Sequence, residues 1–280
     1  MIFKDFQPHP ALSHLVKFYR LRHFVFGVGA EAKMKPYPAR PEHCIAFYPR
    51  GFTKVDDPVA GLQYIQSKAF ISGQYTYRIN KYASTPEFLM ILVVFHPGAL
   101  YQLTGIPASE FQNKGFDLEM IFPAQTRQLN EQLAGANSYP DMLKLIDQFL
   151  LSQFSRNDAE YDVPVNKVLR LMMHGHTMKS VEQLAGEACL SMRQLERVFM
   201  NRCGISPSKM MQIVRFNKAY QMKLKHPEMS WLRIAMECDY HDYQHLARAF
   251  REFAMNSPNQ LFETESKAPE HLLGLTKFSA

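Results

Sequence analysis

Two rhythms of apolar residues divide the chain. Over residues 1–122 the apolar runs are short or alternating, at 16–26, 44–48, 70–71 and 88–95, and turns bearing Pro or Gly separate them, as in Lys35-Pro36-Tyr37-Pro38 and Pro49-Arg50-Gly51. That spacing predicts antiparallel strands gathered into a small barrel or sandwich. The unbroken run from Leu89 to Phe95 predicts the most deeply buried strand, and Pro97-Gly98 then turns the chain into a short helix. From residue 123 the rhythm becomes helical. Pro123 opens a segment with Leu129 and Leu133 four apart, and residues 135–138 break it. Residues 139–154 then carry a broad stripe of Met142, Leu143, Leu145, Ile146, Phe149 and Leu150. So wide a stripe needs a partner, either the strand domain or a second copy of the chain. Residues 155–160 are polar and read as a linker, and 164–174 as a helix with Val165, Val168, Leu169 and Met172 inward.

Beyond residue 180 the sequence says the same thing twice. Leu184-Ala185 recurs as Ile234-Ala235 at a shift of 50, and Leu195, Arg197, Phe199 and Ser206-Pro207 recur as Leu246, Arg248, Phe250 and Ser257-Pro258 at a shift of 51. Each unit reads as a short helix, a tight turn and a second helix. Ser180 and Ser191 stand where helices over 181–188 and 192–202 need caps, and Ser230 and Asp242 do the same for 231–238 and Tyr243–Ala254. A short oxygen-bearing side chain satisfies the free amides that open a helix. Between the units, Ser206-Pro207-Ser208 opens a long helix that runs to about residue 225 and is ended by His226-Pro227. At about 1.5 Å per residue it spans roughly 30 Å, close to one turn of B-DNA.

The second helix of each unit has a face to spare. With Leu195, Val198 and Phe199 turned inward, Arg193, Glu196 and Arg197 project; with Leu246, Phe250 and Phe253 inward, Tyr243, Gln244, Ala247 and Arg248 are expected outward, with His245 nearby. An α-helix fits the major groove, where Arg takes both acceptors of a guanine edge, Glu accepts from cytosine, Gln suits adenine and Ala meets a thymine methyl. The candidate DNA-binding set is therefore Arg193, Glu196, Arg197, Tyr243, Gln244 and Arg248, and unlike letters on matching scaffolds predict two unlike half-sites. An Arg on a helix is ordinarily a solvated charge; the repetition is what sets Arg197 and Arg248 apart. Arg215 and Arg251 are expected to pack or to touch phosphate.

Taken together, Ser191-x-Arg193-x-Leu195-x-Arg197-x-Phe199, Gly204-Ile205-Ser206-Pro207, Arg215, Ala219, Ile234-Ala235, Tyr240, Leu246, Arg248-x-Phe250-Arg251 and Pro258 resemble the C-terminal DNA-binding domain of the AraC/XylS family of bacterial transcription regulators, over roughly a hundred residues. The resemblance implies a sequence-specific regulator whose partner is double-stranded DNA, with a small-molecule effector, RNA polymerase and a homodimer partner as further candidates. The family carries Gly in the turn of each unit, where this chain has Cys189 and Asp239. Asp tolerates the left-handed conformation better than Cys, so the first turn is expected to be the more distorted. Residues 41–44, 71–74 and 96–105 are similar to a cupin-like N-terminal domain carried by members of the same family.

Composition adds bounds more than direction. Forty-six per cent apolar and 21% charged residues in a 280-residue chain suit a globular protein of two domains. No run reaches the roughly 18 apolar residues a membrane span needs, and the start lacks a secretion signal, so a cytoplasmic protein without membrane contact is expected. The net charge of +6 is divided as +4 over 1–122, −1 over 123–159, +4 over 160–262 and −1 over 263–280. It permits DNA binding without arguing for it. Cys44, Cys189, Cys203 and Cys238 have no short paired spacing and are expected as buried reduced thiols. Cupin metal sites use closely spaced His with a carboxylate, whereas His9, His14, His23, His43 and His96 are far apart. With no nucleophile elbow or phosphate loop either, no catalytic residue, metal ligand or cofactor is assigned. A cupin-type metalloenzyme with an appended DNA module is the alternative. A barrel rich in Tyr, Phe and Met either fills its own core or leaves an effector pocket.

The expected architecture is thus α+β. A cupin-like barrel or sandwich over 1–122 serves sensing or dimerisation, and a helical connector covers 123–159. An all-α domain with two helix-turn-helix units covers 160–262, and a tail over 263–280 is either frayed or a small docking helix.

Overall fold

The structure, a computed structural model, describes residues 1–27, 29, 31, 33–154, 163–174 and 179–275; the expected linker at 155–160 lies outside the described residues. The N-terminal strands are β1 (Ile2–Phe6), β2 (Val16–Val25), β3 (Met34–Tyr37), β4 (His43–Arg50), β5 (Thr53–Asp57), β6 (Leu62–Ile65), β7 (Ala69–Ser72), β8 (Ile79–Ala83), β9 (Glu87–Phe95) and β10 (Gly115–Asp117). They make two antiparallel sheets, of order β1-β2-β9-β4-β7-β10 and β3-β8-β5-β6. Among the described residues no strand pair joins the two sheets, so of the two expected forms the sandwich is found and the barrel does not close.

The run 89–95 is uninterrupted because β9 is covered on both sides. Its Leu89, Ile91, Val93 and Phe95 alternate with Met90, Leu92 and Val94, and each set enters a different core. Strands buried on two faces lose the polar half of the alternation. One face joins Cys44, Ala46 and Tyr48 of β4, Phe24 of β2 and Ala83 of the second sheet. The other face, with Tyr19, Ile45 and Phe47, meets α2 (Pro123–Gly135) and α3 (Tyr139–Phe154) through Leu129, Leu133, Met142, Ile146, Phe149 and Leu150. The broad apolar stripe therefore packs against the six-stranded sheet. Polar groups along this seam are answered: the Tyr19 hydroxyl donates to Asp147 Oδ1 at 2.6 Å, and the His23 ring nitrogens lie 2.7 Å from the Tyr139 hydroxyl and 2.8 Å from Glu87 Oε1.

One expected turn is a strand. Lys35-Pro36-Tyr37 lies in β3, which pairs with β8 from Met34↔Tyr82 to Tyr37↔Ile79. β3 is at the sheet edge, the one place in a sheet where Pro is tolerated because no outer neighbour needs its missing N–H.

After Pro97-Gly98 comes α1 (Ala99–Thr104). The C-terminal half consists of α4 (Val163–His174), α5 (Val181–Glu187), α6 (Met192–Cys203), α7 (Pro207–Lys225), α8 (Trp231–Glu237), α9 (Tyr243–Ala254), α10 (Pro258–Ser266) and α11 (Pro269–Leu272). One core holds α4 to α10 together through Val168, Leu184, Leu195, Phe199, Phe216, Ile234, Leu246, Phe250 and Leu261, all buried. Ala39, from the segment after β3, belongs to that core and not to the sandwich. The tail docks rather than frays: Glu265 of α10 and Glu270 of α11 are buried and both pair with Lys35 of β3, Glu265 at 2.9 Å. Among the described residues no helix is long and apolar enough to cross a membrane.

Candidate nucleic-acid interface

Each unit is built from its caps inward. Gln183 N–H donates to Ser180 Oγ at 3.2 Å while Ser180 N–H donates to Gln183 Oε1 at 2.8 Å, and Ser191 and Gln194 repeat this reciprocal box at the start of α6. In the second unit Ser230 accepts from Arg233 N–H, and Asp242 Oδ1 accepts from His245 N–H at 2.7 Å. Capped starts fix where the first turn of α6 and of α9 points, which is the turn a groove would meet. The turns inside the units are superposable in bonding. Leu190 N–H reaches Ala185 O at 3.0 Å and Tyr240 N–H reaches Ala235 O at 2.9 Å, with Cys189 at φ 55° and Asp239 at φ 57°. Both departures from Gly thus sit in the left-handed region where Gly would be unstrained.

The candidate reading residues fall into two groups. Arg193, Arg197, Gln244 and Arg248 are exposed, and among the described residues no hydrogen bond or ion pair ties their side chains. Glu196 and Tyr243 are half-buried, and Tyr243 packs against the helical core. Ala247, expected outward, is 2% exposed. It continues the inner stripe of Tyr243, Leu246, Phe250 and Ala254 at helical spacing, so its methyl faces the core and not a base. Of the cysteines, Cys189 is exposed and the other three are buried. Arg215 does pack: its Nη1 donates to Asp239 O at 3.4 Å and its guanidinium lies 4.6 Å from the Tyr240 ring centroid. His245 stands edge-on to Tyr240 at 5.1 Å, and burial together with Arg215 holds its imidazole below the usual range.

How the sandwich grips both α6 and α9 was not legible in the sequence. Ala39 N–H donates to Phe253 O at 3.0 Å near the end of α9, and His43 Nε2 lies 3.2 Å from Cys203 O, the last residue of α6. Residues 38–43 therefore form a strap whose two ends touch the C-terminal ends of α6 and α9. Arg78 donates to Asn256, just past α9, and Arg202 of α6 lies over the Tyr101 ring of α1 at 4.1 Å. Gly204, the left-handed cap of α6 at φ 77°, lies so close to the sandwich that an added Cβ would come within 2.5 Å of Ala108 O. The glycine was visible in the motif; the surface it abuts was not.

Glu265, Glu270 and His271 are the one group among the described residues whose ligand atoms lie within 4.8 Å of one another. Lys35 already pairs with both carboxylates, so the chain supplies the positive charge a metal would bring. Burial alone would raise Glu265, and Lys35 and Arg40 hold it below the ordinary carboxylate range.

Comparisons with known proteins bear on the two halves separately. Residues 184–264 match a family described as a helix-turn-helix domain, and residues 4–117 match a family of domains of unknown function. An HTH-type transcriptional regulator of Haemophilus influenzae is 34% identical over 178 residues, which is 64% of this chain and 56% of that protein. The HTH-type transcriptional regulator ArgR of Pseudomonas aeruginosa is 24% identical over 147 residues, or 51% of this chain and 44% of that one. The chain thus matches about half the length of these curated relatives. Among solved structures, ToxT from Vibrio cholerae superposes with a TM-score of 0.50 at 10% identity, covering 89% of this chain and 99% of that one, a likeness of fold. The C-terminal part of the chain is a helix-turn-helix domain of the AraC type.

Proposed function

We propose that the chain is a sequence-specific, DNA-binding transcription regulator in which α6 and α9 enter successive major grooves on one side of a duplex. The observation that carries this reading is the state of four side chains. Arg193 and Arg197 on α6, and Gln244 and Arg248 on α9, are exposed and untied at matching places of a duplicated unit. α7, with 19 residues, separates the units by about 28 Å at 1.5 Å per residue, close to the 34 Å pitch of B-DNA. Arg197 and Arg248 are assigned base contacts and Arg193 and Gln244 supporting ones, while Glu196 and Tyr243, being half-buried, meet the groove only at its edge. The relatives named as regulators support the assignment to transcription. The sandwich is assigned to sensing a small molecule.

The test is binding to DNA fragments selected from a genomic pool. Affinity should fall steeply with salt, since phosphate contacts release counterions. Arg197→Ala and Arg248→Ala should each cost about 1–3 kcal/mol of specific binding. A flat salt response, or unchanged affinity in both variants, would refute the reading.

A further inference from the structure

The two sheets end in β1 and β10 on one side of the sandwich and in β3 and β6 on the other. Three of these edges are blunted. β1 carries exposed Lys4 and Asp5, β3 carries Lys35 and Pro36 under the docked tail, and β10 has only 3 residues. β6, Leu62-Gln63-Tyr64-Ile65, has neither charge nor proline, and its Leu62 and Ile65 are 58% and 62% exposed. Charge, proline, brevity or a cover is what keeps an edge from pairing with another chain. The groups that β6 presents follow from its ladder. Gln66 N–H donates to Thr53 O at 2.9 Å, and hydrogen-bonded pairs alternate along antiparallel strands, so Tyr64 and Leu62 turn their backbone groups to Val55 and Asp57 of β5. Gln63 and Ile65 turn theirs outward, and among the described residues no strand lies there. Their side chains share the outer face of the sheet with Lys54 and Asp56. Gln63 Nε2 donates to Asp56 Oδ1 at 3.2 Å and borders an open groove of about 450 Å³ beside Phe52 and Tyr82.

We propose that β6 is a dimerisation edge, which pairs antiparallel with β6 of a second copy of the chain about a two-fold axis at Tyr64. In that register Gln63 exchanges both backbone bonds with the partner's Ile65, and Ile65 with the partner's Gln63, all from groups that β5 leaves free. Charge selects the register. With the axis at Tyr64, each row across the joined sheets runs from Lys54 through Ile65 and the partner's Gln63 to the partner's Asp56, so its ends carry opposite charges. An axis at Gln63 would put Asp56 at both ends of a row and would call on Gly61, whose φ of 66° takes it out of the strand. Shape agrees, since the exposed Ile65 of each copy comes to lie beside the Gln63 that borders the other's groove. Association closes at two copies, because α10 and α11 cover the far edge of the same sheet through Lys35. The free face of α3, by contrast, is polar, with Asp141, Lys144, Gln148 and Ser152 exposed. So short an edge covers far less than the roughly 1,600 Å² of a standard interface, which makes the dimer a weak one of micromolar order. The inference rests on the sandwich alone and holds whether or not α6 and α9 read DNA.

The experiment is analytical ultracentrifugation of the full chain without DNA, from nanomolar to submillimolar protein. A reversible monomer–dimer equilibrium is expected. Gln63→Pro removes an outward N–H and leaves the ladder to β5 intact, so it should weaken association about tenfold or more, with Tm and circular dichroism unchanged. Gln63→Ala keeps that N–H and should associate like the parent. Ile65→Lys tests the same edge from an exposed side chain, without touching the backbone, and should also weaken association about tenfold or more. Lys144→Glu, on the free face of α3, should change nothing. The proposal is overturned by a monomer at every concentration, by association that survives both Gln63→Pro and Ile65→Lys, or by open-ended assembly. It is overturned equally by a loss in Gln63→Ala as large as in Gln63→Pro, or by a loss in Lys144→Glu as large as in Ile65→Lys.

Discussion

The two helix-turn-helix units share a backbone and differ in what holds it. Their caps and turn bonds fall at matching positions, yet the two turns are braced by different groups. In the second, Arg215 reaches Asp239 O and lies on Tyr240, which in turn meets His245. In the first, Cys189 is exposed and Leu190 half-buried, and the bracing comes from lysines: Lys167 Nζ donates to Glu187 O at 2.5 Å and Lys179 Nζ to Glu187 Oε1 at 2.6 Å. The far ends differ too. α6 ends on His43 and on the close approach of Gly204 to Ala108, and α9 on Ala39 and Arg78. Duplication kept what fixes a unit's own shape and left each free to find its own neighbours, and under the proposed function that would let one scaffold read two unlike half-sites.

The comparison can be broken at its core first. Phe199 and Phe250 occupy matching places and are both fully buried, so truncation of either to Ala should cost about 3–5 kcal/mol in urea unfolding. Phe250→Ala should cost the more, because its ring also meets Phe216 at 4.9 Å and Trp231 at 5.2 Å and such pairs add about 0.5–1.5 kcal/mol each. An equal or larger loss for Phe199→Ala would deny that the second unit is the more tightly packed.

A smaller effect separates the far ends. Burial pushes the His43 imidazole down to about 4, against the pull of its bond to Cys203 O. Below pH about 6.5 the unfolded chain therefore takes up a proton that the folded chain refuses, and stability falls as pH drops from about 6.5 to about 4, by roughly 3 kcal/mol over the whole window. His43→Gln keeps an N–H donor for Cys203 O and should flatten that part of the profile; a pH dependence identical to the parent's would exclude His43 as its source. The smallest effect concerns the turns. Cys189→Gly should raise stability by about 0.5–1 kcal/mol by relieving left-handed strain. Asp239→Gly should gain less, since Asp tolerates that conformation and Arg215 already holds the turn. Calorimetric melting of the pair decides, and a larger gain at Asp239 would reverse the ranking.

What was legible in the sequence was local or repeated. Caps at Ser180, Ser191, Ser206, Ser230, Asp242 and Ser257 and the paired stripes announced the helices of both units, because each signal acts within four residues. β9 announced itself by being apolar throughout. β3 did not, since its Pro36 imitates a turn and only the edge position makes it a strand. Ala247 was misplaced by one step around the helix, where a small residue gives no apolar weight to mark the inner face. The strap was illegible for a different reason: Ala39 and His43 act through backbone groups more than 150 residues away in sequence. Arg40 and Lys81 lie apart in the chain, and only the folding of two sheets brings them to the Tyr37 ring.

The central claim is that α6 and α9 each read their own groove, and a base-resolution footprint of the parent, Arg197→Ala and Arg248→Ala on the same selected DNA tests it most directly. The account predicts two protected stretches about 10 base pairs apart on one face of the duplex, with Arg197→Ala relaxing base preference in one stretch and Arg248→Ala in the other. A single protected stretch, or two variants that alter the same base pairs, would contradict it.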